Sequence, residues 1–203
     1  DGKTALENGV SQWITGAAAR HDGHHWRARA CAILSGIGTV RDDDPQLNVR
    51  GVDTARQPLK VVVDSRLELS LTARLLDGGA VLLACAAEDR QKAAALRQRG
   101  AEVLCLPNAE GRVDLPALLQ ELARRGINEV HVEGGFRLNG ALLAAGLVDE
   151  LLLYLAPCFI GDVARGMFDL PGLDSLDGKH RLKVRDLRLV GADIRVLGRF
   201  VSP

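Results

Sequence analysis

The chain has 203 residues, with 26 Lys+Arg balanced by 26 Asp+Glu and a formal net charge of +0. Zero net charge supplies no basic field for nucleic acid or an anionic membrane surface, and 2 Trp, 1 Tyr and 4 Phe leave few platforms on which bases could stack. Hydrophobic residues make up 47% and charged residues 26%, ordinary globular usage that excludes disorder, and no apolar run approaches the roughly 20 residues that span a bilayer.

Thr15 is placed to cap a helix over 17–30, after which 31–34 reads as a strand. Residues 35–49 carry Gly36, Gly38, the consecutive Asp42, Asp43 and Asp44, and Pro45. That length and turn chemistry mark an ordered functional loop. Short apolar strands follow at 59–63 and 80–85. A helix over 88–99 sets Ala93, Ala95 and Leu96 among charges and stops at Gly100. A strand at 101–106 ends at Pro107, and a helix over 115–125 puts Leu118, Leu119 and Leu122 on one face before Gly126. The strand 128–132 and the helix 138–145 come next. Residues 150–156 are nearly all apolar, as in a strand covered on both faces. Segments 182–190 and 193–201 flank Gly191-Ala192, a hairpin signal. In the second segment Ile194 and Val196 alternate with Asp193 and Arg195, which suits a strand with one wet face. Regular strand–helix alternation implies parallel strands joined by crossover helices. The expected fold is one α/β domain over 1–203, with a mixed, mostly parallel sheet and a C-terminal antiparallel hairpin.

Cys31, Cys85, Cys105 and Cys158 form no CxxC pair, and each lies in or beside an apolar run. They read as buried, reduced thiols of a reducing compartment, most simply the cytoplasm. His21, His24 and His25 do not make HExxH, and no metal site is expected. No GxSxG nucleophile elbow occurs.

The sharpest local feature is the run Val132-Glu133-Gly134-Gly135-Phe136-Arg137-Leu138-Asn139-Gly140. A strand ends, two glycines follow and a helix begins, so bare N–H groups are available to a phosphate. This is not the GxGxxG dinucleotide fingerprint, and a tight structural turn accounts for the glycines equally well. Glu133 stands at the carboxyl end of a strand, where open α/β sheets bind ligands; the alternative is a partner for the helix dipole. In the 35–49 loop and just past it, Thr39 can donate a hydrogen bond and Arg50 can grip a phosphate; the alternative is an Asx-Pro turn with solvated aspartates. His131, inside a strand, reads as a core or edge histidine rather than a base.

Several segments, in order, carry a family resemblance: Asp1-Gly2-Lys3-Thr4-Ala5, Ser11-Gln12-Trp13-Ile14-Thr15, Ala32-Ile33-Leu34-Ser35-Gly36-Ile37-Gly38-Thr39-Val40, Asp43-Asp44-Pro45-Gln46-Leu47-Asn48-Val49-Arg50, Val132-Glu133-Gly134-Gly135 and Leu147-Val148-Asp149-Glu150-Leu151. The chain resembles the reductase domain of the bifunctional riboflavin-biosynthesis deaminase–reductase over essentially its whole length. The resemblance implies a dihydrofolate-reductase-like, three-layer α/β/α fold. It also implies NADPH-dependent reduction of 5-amino-6-(5-phosphoribosylamino)uracil, the ribosyl group becoming ribityl. It places Ser11, Arg27, Leu47, Arg50 and Glu133 on the sugar-phosphate substrate, with Glu133 catalytic. It places Trp13, Thr39, Asp43, Ser65, Gly135, Phe136, Arg137, Leu138, Asn139, Gly140 and Ala141 on NADPH, with Arg66 a candidate for the 2′-phosphate. A homodimer is expected, helped by the apolar strand 150–156 and the C-terminal hairpin. The family's first strand, which bears a substrate-contacting lysine, would precede Asp1, as would any zinc deaminase domain. Two other readings stay open: a reductase for the undeaminated pyrimidine, and a non-catalytic nucleotide-binding or dimerisation module.

Overall fold

The strand–helix alternation is realised in a computed structural model that describes residues 1–87 and 89–201. In chain order the elements are β1 (Lys3–Ala5), α1 (Ala17–Arg29), β2 (Ala32–Gly36), α2 (Ile37–Asp43), β3 (Leu59–Val63), β4 (Val81–Cys85), α3 (Arg90–Gln98), β5 (Ala101–Cys105), α4 (Leu115–Arg124), β6 (Val130–Val132), α5 (Phe136–Ala144), β7 (Glu150–Leu155), β8 (Arg165–Gly166), β9 (Leu182–Val190) and β10 (Asp193–Phe200). They form two units. One is His24–Gly135; the other joins Asp1–Gly23 to Phe136–Pro203.

The unit His24–Gly135 holds a five-stranded, all-parallel sheet in the order β5-β4-β3-β2-β6. The central strands β4, β3 and β2 are short and rich in Val, Leu and Ile because both of their faces are covered. Ile33, Val62 and Leu83 belong to one core with Leu96 of α3. Asp89 caps α3 by accepting from the Lys92 N–H at 3.0 Å, and Gly100 ends it at φ +84°. Glu88, the first residue of the expected 88–99 helix, lies outside the described residues.

Two charged side chains are buried in this unit for structural reasons. Lys60 Nζ donates to the carbonyls of Leu75 at 2.7 Å and Gly78 at 2.5 Å, and burial lowers its pKa. Asp64, at the carboxyl end of β3, accepts the Glu68 and Leu69 N–H groups, both at 2.9 Å. Burial pushes its carboxyl up, and those N–H bonds partly offset the rise.

The other unit carries an antiparallel sheet in the order β7-β10-β9 and the short pair β1-β8. The hairpin turns at Gly191, whose φ of +64° favours glycine.

Four expectations need correction. The 35–49 segment is not all loop: Ile37 and Val40 turn inward on α2, which stops at the left-handed Asp44 (φ 41°). Residues 150–156 are not a strand covered on both faces: β7, Glu150–Leu155, is only half-buried and pairs antiparallel with β10. On β10 the polarity is reversed: Asp193 is buried and Arg195 half-buried, whereas Ile194 is exposed. Cys105 and Cys158 are exposed, because both stand where a strand has ended or is ending; Cys85 is buried and Cys31 half-buried.

Replacing Asp64 by Ala strands two backbone donors, one of them fully buried. Urea unfolding of Asp64→Ala should show a loss of about 2 kcal/mol, whereas the exposed Asp53→Ala should show none measurable.

Candidate active site

The residues that gather in His24–Gly135 meet at the carboxyl ends of β2 and β6. These strands are paired in register, Ile33 opposite His131 and Leu34 opposite Val132. The chain leaves β6 at Glu133, whose N–H donates to the Leu34 carbonyl at 2.8 Å. The Glu133 carbonyl accepts from Ser35 Oγ, also at 2.8 Å. The backbone of Glu133 is thereby fixed to β2, and its side chain is aimed from a rigid strand end.

Arg27 comes from the last turn of α1. Its Nε donates to Glu133 Oε1 and its Nη2 to Oε2, each at 2.5 Å, a bidentate fork. Its Nη1 donates to the Asn48 carbonyl at 3.0 Å. His131 Nε2 lies 3.4 Å from Glu133 Oε1. Burial pushes the Glu133 carboxyl up, but the hydrogen bonds from His131 and Arg27 and the Arg27 charge outweigh it and hold the carboxyl at about 2. Glu133 is therefore a carboxylate at neutral pH and an acceptor only.

Beyond α2 the chain runs as an irregular loop. Leu47 is buried at a positive φ of 47°, so its side chain anchors the loop from below rather than lining an open surface. Gln46, Asn48 and Arg50 alternate along it, and Arg50 Nη1 donates to Gln46 Oε1 at 2.9 Å and to Asn48 Oδ1 at 2.7 Å. The Arg50 N–H donates to His24 Nδ1 at 3.2 Å. Arg50 is exposed, and among the described residues no carboxylate pairs with it.

Of the residues expected on the cofactor, Thr39 and Gly135 lie together: a Cβ at Gly135 would come within 3.3 Å of Thr39 Oγ1. Asp43, in the last turn of α2, is exposed. Ser65 Oγ accepts the Val113 N–H at 3.2 Å, a bond that holds two segments of the same unit together.

Ser11, Trp13, Phe136, Arg137, Leu138, Asn139, Gly140 and Ala141 belong to the other unit. There Trp13 is exposed with the Arg20 guanidinium 4.4 Å from its ring centre, and the Arg137 guanidinium lies 5.5 Å from the Phe136 ring. Asn139 Nδ2 donates to the Met167 carbonyl at 3.2 Å. Gly140 is buried, and a Cβ there would stand 2.1 Å from the Asp169 carbonyl oxygen, so packing alone demands glycine.

Sequence reading gave no role to Ser35, Gln46 or Asn48, and it set His24 and His131 aside. The available signal was the period-two spacing of 131 with 133 at a strand end; Gln46, Asn48 and Arg50 lie on an irregular loop where strand alternation does not apply.

Residues 1–196 match the family described as RibD C-terminal domain. The chain is 38% identical over 207 residues to the riboflavin biosynthesis protein RibD of Escherichia coli K12, covering 96% of this chain and 55% of that protein. It is 37% identical to the RibD protein of Bacillus amyloliquefaciens, covering 97% and 53%. Among solved structures, Acinetobacter baumannii RibD superposes with a TM-score of 0.88 at 37% identity, over 100% of this chain and 55% of that one. A Thermotoga maritima diaminohydroxyphosphoribosylaminopyrimidine deaminase/5-amino-6-(5-phosphoribosylamino)uracil reductase gives a TM-score of 0.81 at 25% identity, over 99% and 54%. The chain thus spans about half the length of these relatives.

The Glu133 carboxyl sits below its ordinary 4.5 in the folded protein, so its pairing adds stability above that value and loses it as pH falls toward about 2. Urea unfolding from neutral pH down to about pH 3 should show wild type losing its advantage over Glu133→Gln as the acid limb is entered. A gap that stays constant through that limb would show that Glu133 is not held ionised.

Proposed function

The chain belongs to the RibD C-terminal domain family, and on that premise we propose that it reduces 5-amino-6-(5-phosphoribosylamino)uracil to its ribityl product with NADPH. One observation carries this reading: an ionised Glu133, neutralised by Arg27, is joined through Asn48 to an exposed, unneutralised Arg50. A sugar phosphate offers the matching groups, hydroxyls for the carboxylate and a phosphate for the guanidinium. The Thermotoga relative carries the same reaction in its name.

The residues present fit a dinucleotide phosphate. Gly135 is exposed and bare beside the Thr39 hydroxyl, and the chain enters α5 at the next residue. NADPH, when bound, supplies the hydride that the sugar carbon gains. The remaining tasks fall to the chain. Arg50 grips the phosphate and sets the sugar's position. Glu133 accepts hydrogen bonds from the sugar and places negative charge near the nitrogen that becomes positive when the sugar ring opens to an iminium ion, the ring oxygen leaving the sugar carbon as the nitrogen lone pair forms the C=N bond. With its carboxyl held near 2, Glu133 does not deliver a proton. Among the described residues no two cysteines are joined in a disulfide, which suits a reducing compartment such as the cytoplasm.

Purified protein should consume the nicotinamide absorbance band of NADPH only when the phosphoribosylaminouracil is present. Arg50→Ala should raise KM about 10- to 100-fold with a smaller effect on kcat. Turnover of the undeaminated pyrimidine alone would reassign the substrate. NADPH binding without turnover of either compound would mark a binding module.

We also propose that the protein is a homodimer through the open face of the β7-β10-β9 sheet. Leu155, Ile194 and Leu189 form one cross-strand row there and Leu153, Val196 and Leu187 the next. Leu187 is 65% and Leu189 72% exposed. The charged residues of β10 alternate to the opposite face, so a second copy related by a two-fold axis meets aliphatic rows here. Contiguous apolar patches of this kind are seldom left open by monomers. Light scattering should give twice the chain mass for wild type and one chain mass for Leu187→Arg. A wild type at single mass would overturn the dimer.

A further inference from the structure

We infer that His131 is a positioning residue for Glu133: its Nε2–H shares Oε1 with Arg27 and fixes the plane of the carboxylate. The inference rests on the reductase reading only for what the carboxylate then does.

The geometry is specific. His131 and Glu133 are two residues apart at the end of β6, so their side chains leave on the same side. Nε2 stands 3.4 Å from Oε1, and both side chains are largely covered, at 21% and 26% exposure. A bare Nε2 would set lone pair against lone pair at that distance, so this nitrogen carries the proton. Arg27 reaches Oε1 through Nε and Oε2 through Nη2, which alone leaves the carboxylate free to rock about the fork. The imidazole adds a contact from the strand itself. Among the described residues Oε2 has Arg27 as its single hydrogen-bond partner, and this oxygen keeps an open acceptor position for a sugar hydroxyl. Among the described residues the charged or titratable groups that contact the Glu133 carboxylate are Arg27 on α1 and His131 on β6; β2 offers the neutral Ser35 hydroxyl, which bonds the Glu133 backbone.

The test compares wild type with His131→Phe, which keeps the ring and removes the donor, and His131→Gln, which restores an N–H. Carbon-13 NMR follows the Glu133 carboxyl through an acid titration in free protein, so this arm needs neither substrate nor cofactor. In His131→Phe the carboxyl should titrate about one pH unit higher, a roughly tenfold gain in proton affinity. KM for the sugar phosphate should rise about three- to tenfold with kcat nearly unchanged, and His131→Gln should restore both to within about twofold. His131→Leu replaces His131→Phe if the latter does not fold. An unchanged Glu133 titration on loss of the donor, or a Gln variant as impaired as the Phe variant, would overturn the inference. If even wild type fails to turn over either pyrimidine, the reductase reading fails while the titration still decides the role of His131.

Discussion

Glu133 stands just past the carboxyl end of a parallel strand with only about a quarter of its side chain exposed, so its charge has to be matched where it stands. The fork from Arg27 meets that requirement, and the rest of the site follows from it. Arg27 can reach the carboxylate only if the last turn of α1 passes the ends of β2 and β6. The same guanidinium then has one nitrogen left over, and that nitrogen takes the Asn48 carbonyl. The loop after α2 is therefore pinned by the residue that neutralises Glu133. Lysine would not serve, because a single ammonium cannot present two parallel donors to a carboxylate and a third to a backbone oxygen.

A comparable constraint shapes the antiparallel unit. Asp193 accepts the Gly16 N–H at 2.7 Å, and Arg195 bonds Asp22 at 2.8 Å and Asp186 at 2.9 Å, while the Tyr154 hydroxyl donates to Asp22. These charges occupy the covered face of β10. Each has partners, so burial is tolerated, and the network fixes the register: a one-residue slip would send Asp193 and Arg195 to the aliphatic face and break every one of these bonds. Covering the charged face leaves the aliphatic face outward, which is how an otherwise conventional hairpin comes to present Leu187 and Leu189 to solvent.

Much of this was legible in the chain. The β-branched run at β3, the glycine stops after α3 and α4, and the Gly191 hairpin follow from local chemistry that tertiary contacts had no reason to override. The position of Glu133 was legible too, because a strand followed by two glycines and a helix places a side chain at a strand's carboxyl end. The pairing of Glu133 with Arg27 was not, since the partners are 106 residues apart and meet only through the course of α1. Helix α2 was obscured by glycines and aspartates that favour turns, and it forms because Ile37 and Val40 find the core. On β10 alternation revealed a period of two but not which face would be covered. That choice belongs to Asp22 and Asp186, which supply the partners Arg195 needs.

The two arginines of the site show how identical side chains acquire different work. Arg27 meets a full negative charge, so beyond a few ångströms the Arg27–Glu133 pair is close to neutral and neither attracts nor repels an arriving phosphate. Among the described residues the Arg50 guanidinium bonds only to the amide oxygens of Gln46 and Asn48, which orient it without cancelling its charge. Amide partners are also weaker than a carboxylate and are readily exchanged for phosphate oxygens, so Arg50 arrives pre-aimed at little cost in rotamer entropy. Had Gln46 been a glutamate, the same geometry would have presented a neutral pair and left a dianionic ligand without a counter-charge. The neutrality of Gln46 and Asn48 is thus as necessary to phosphate recognition as the positive charge of Arg50.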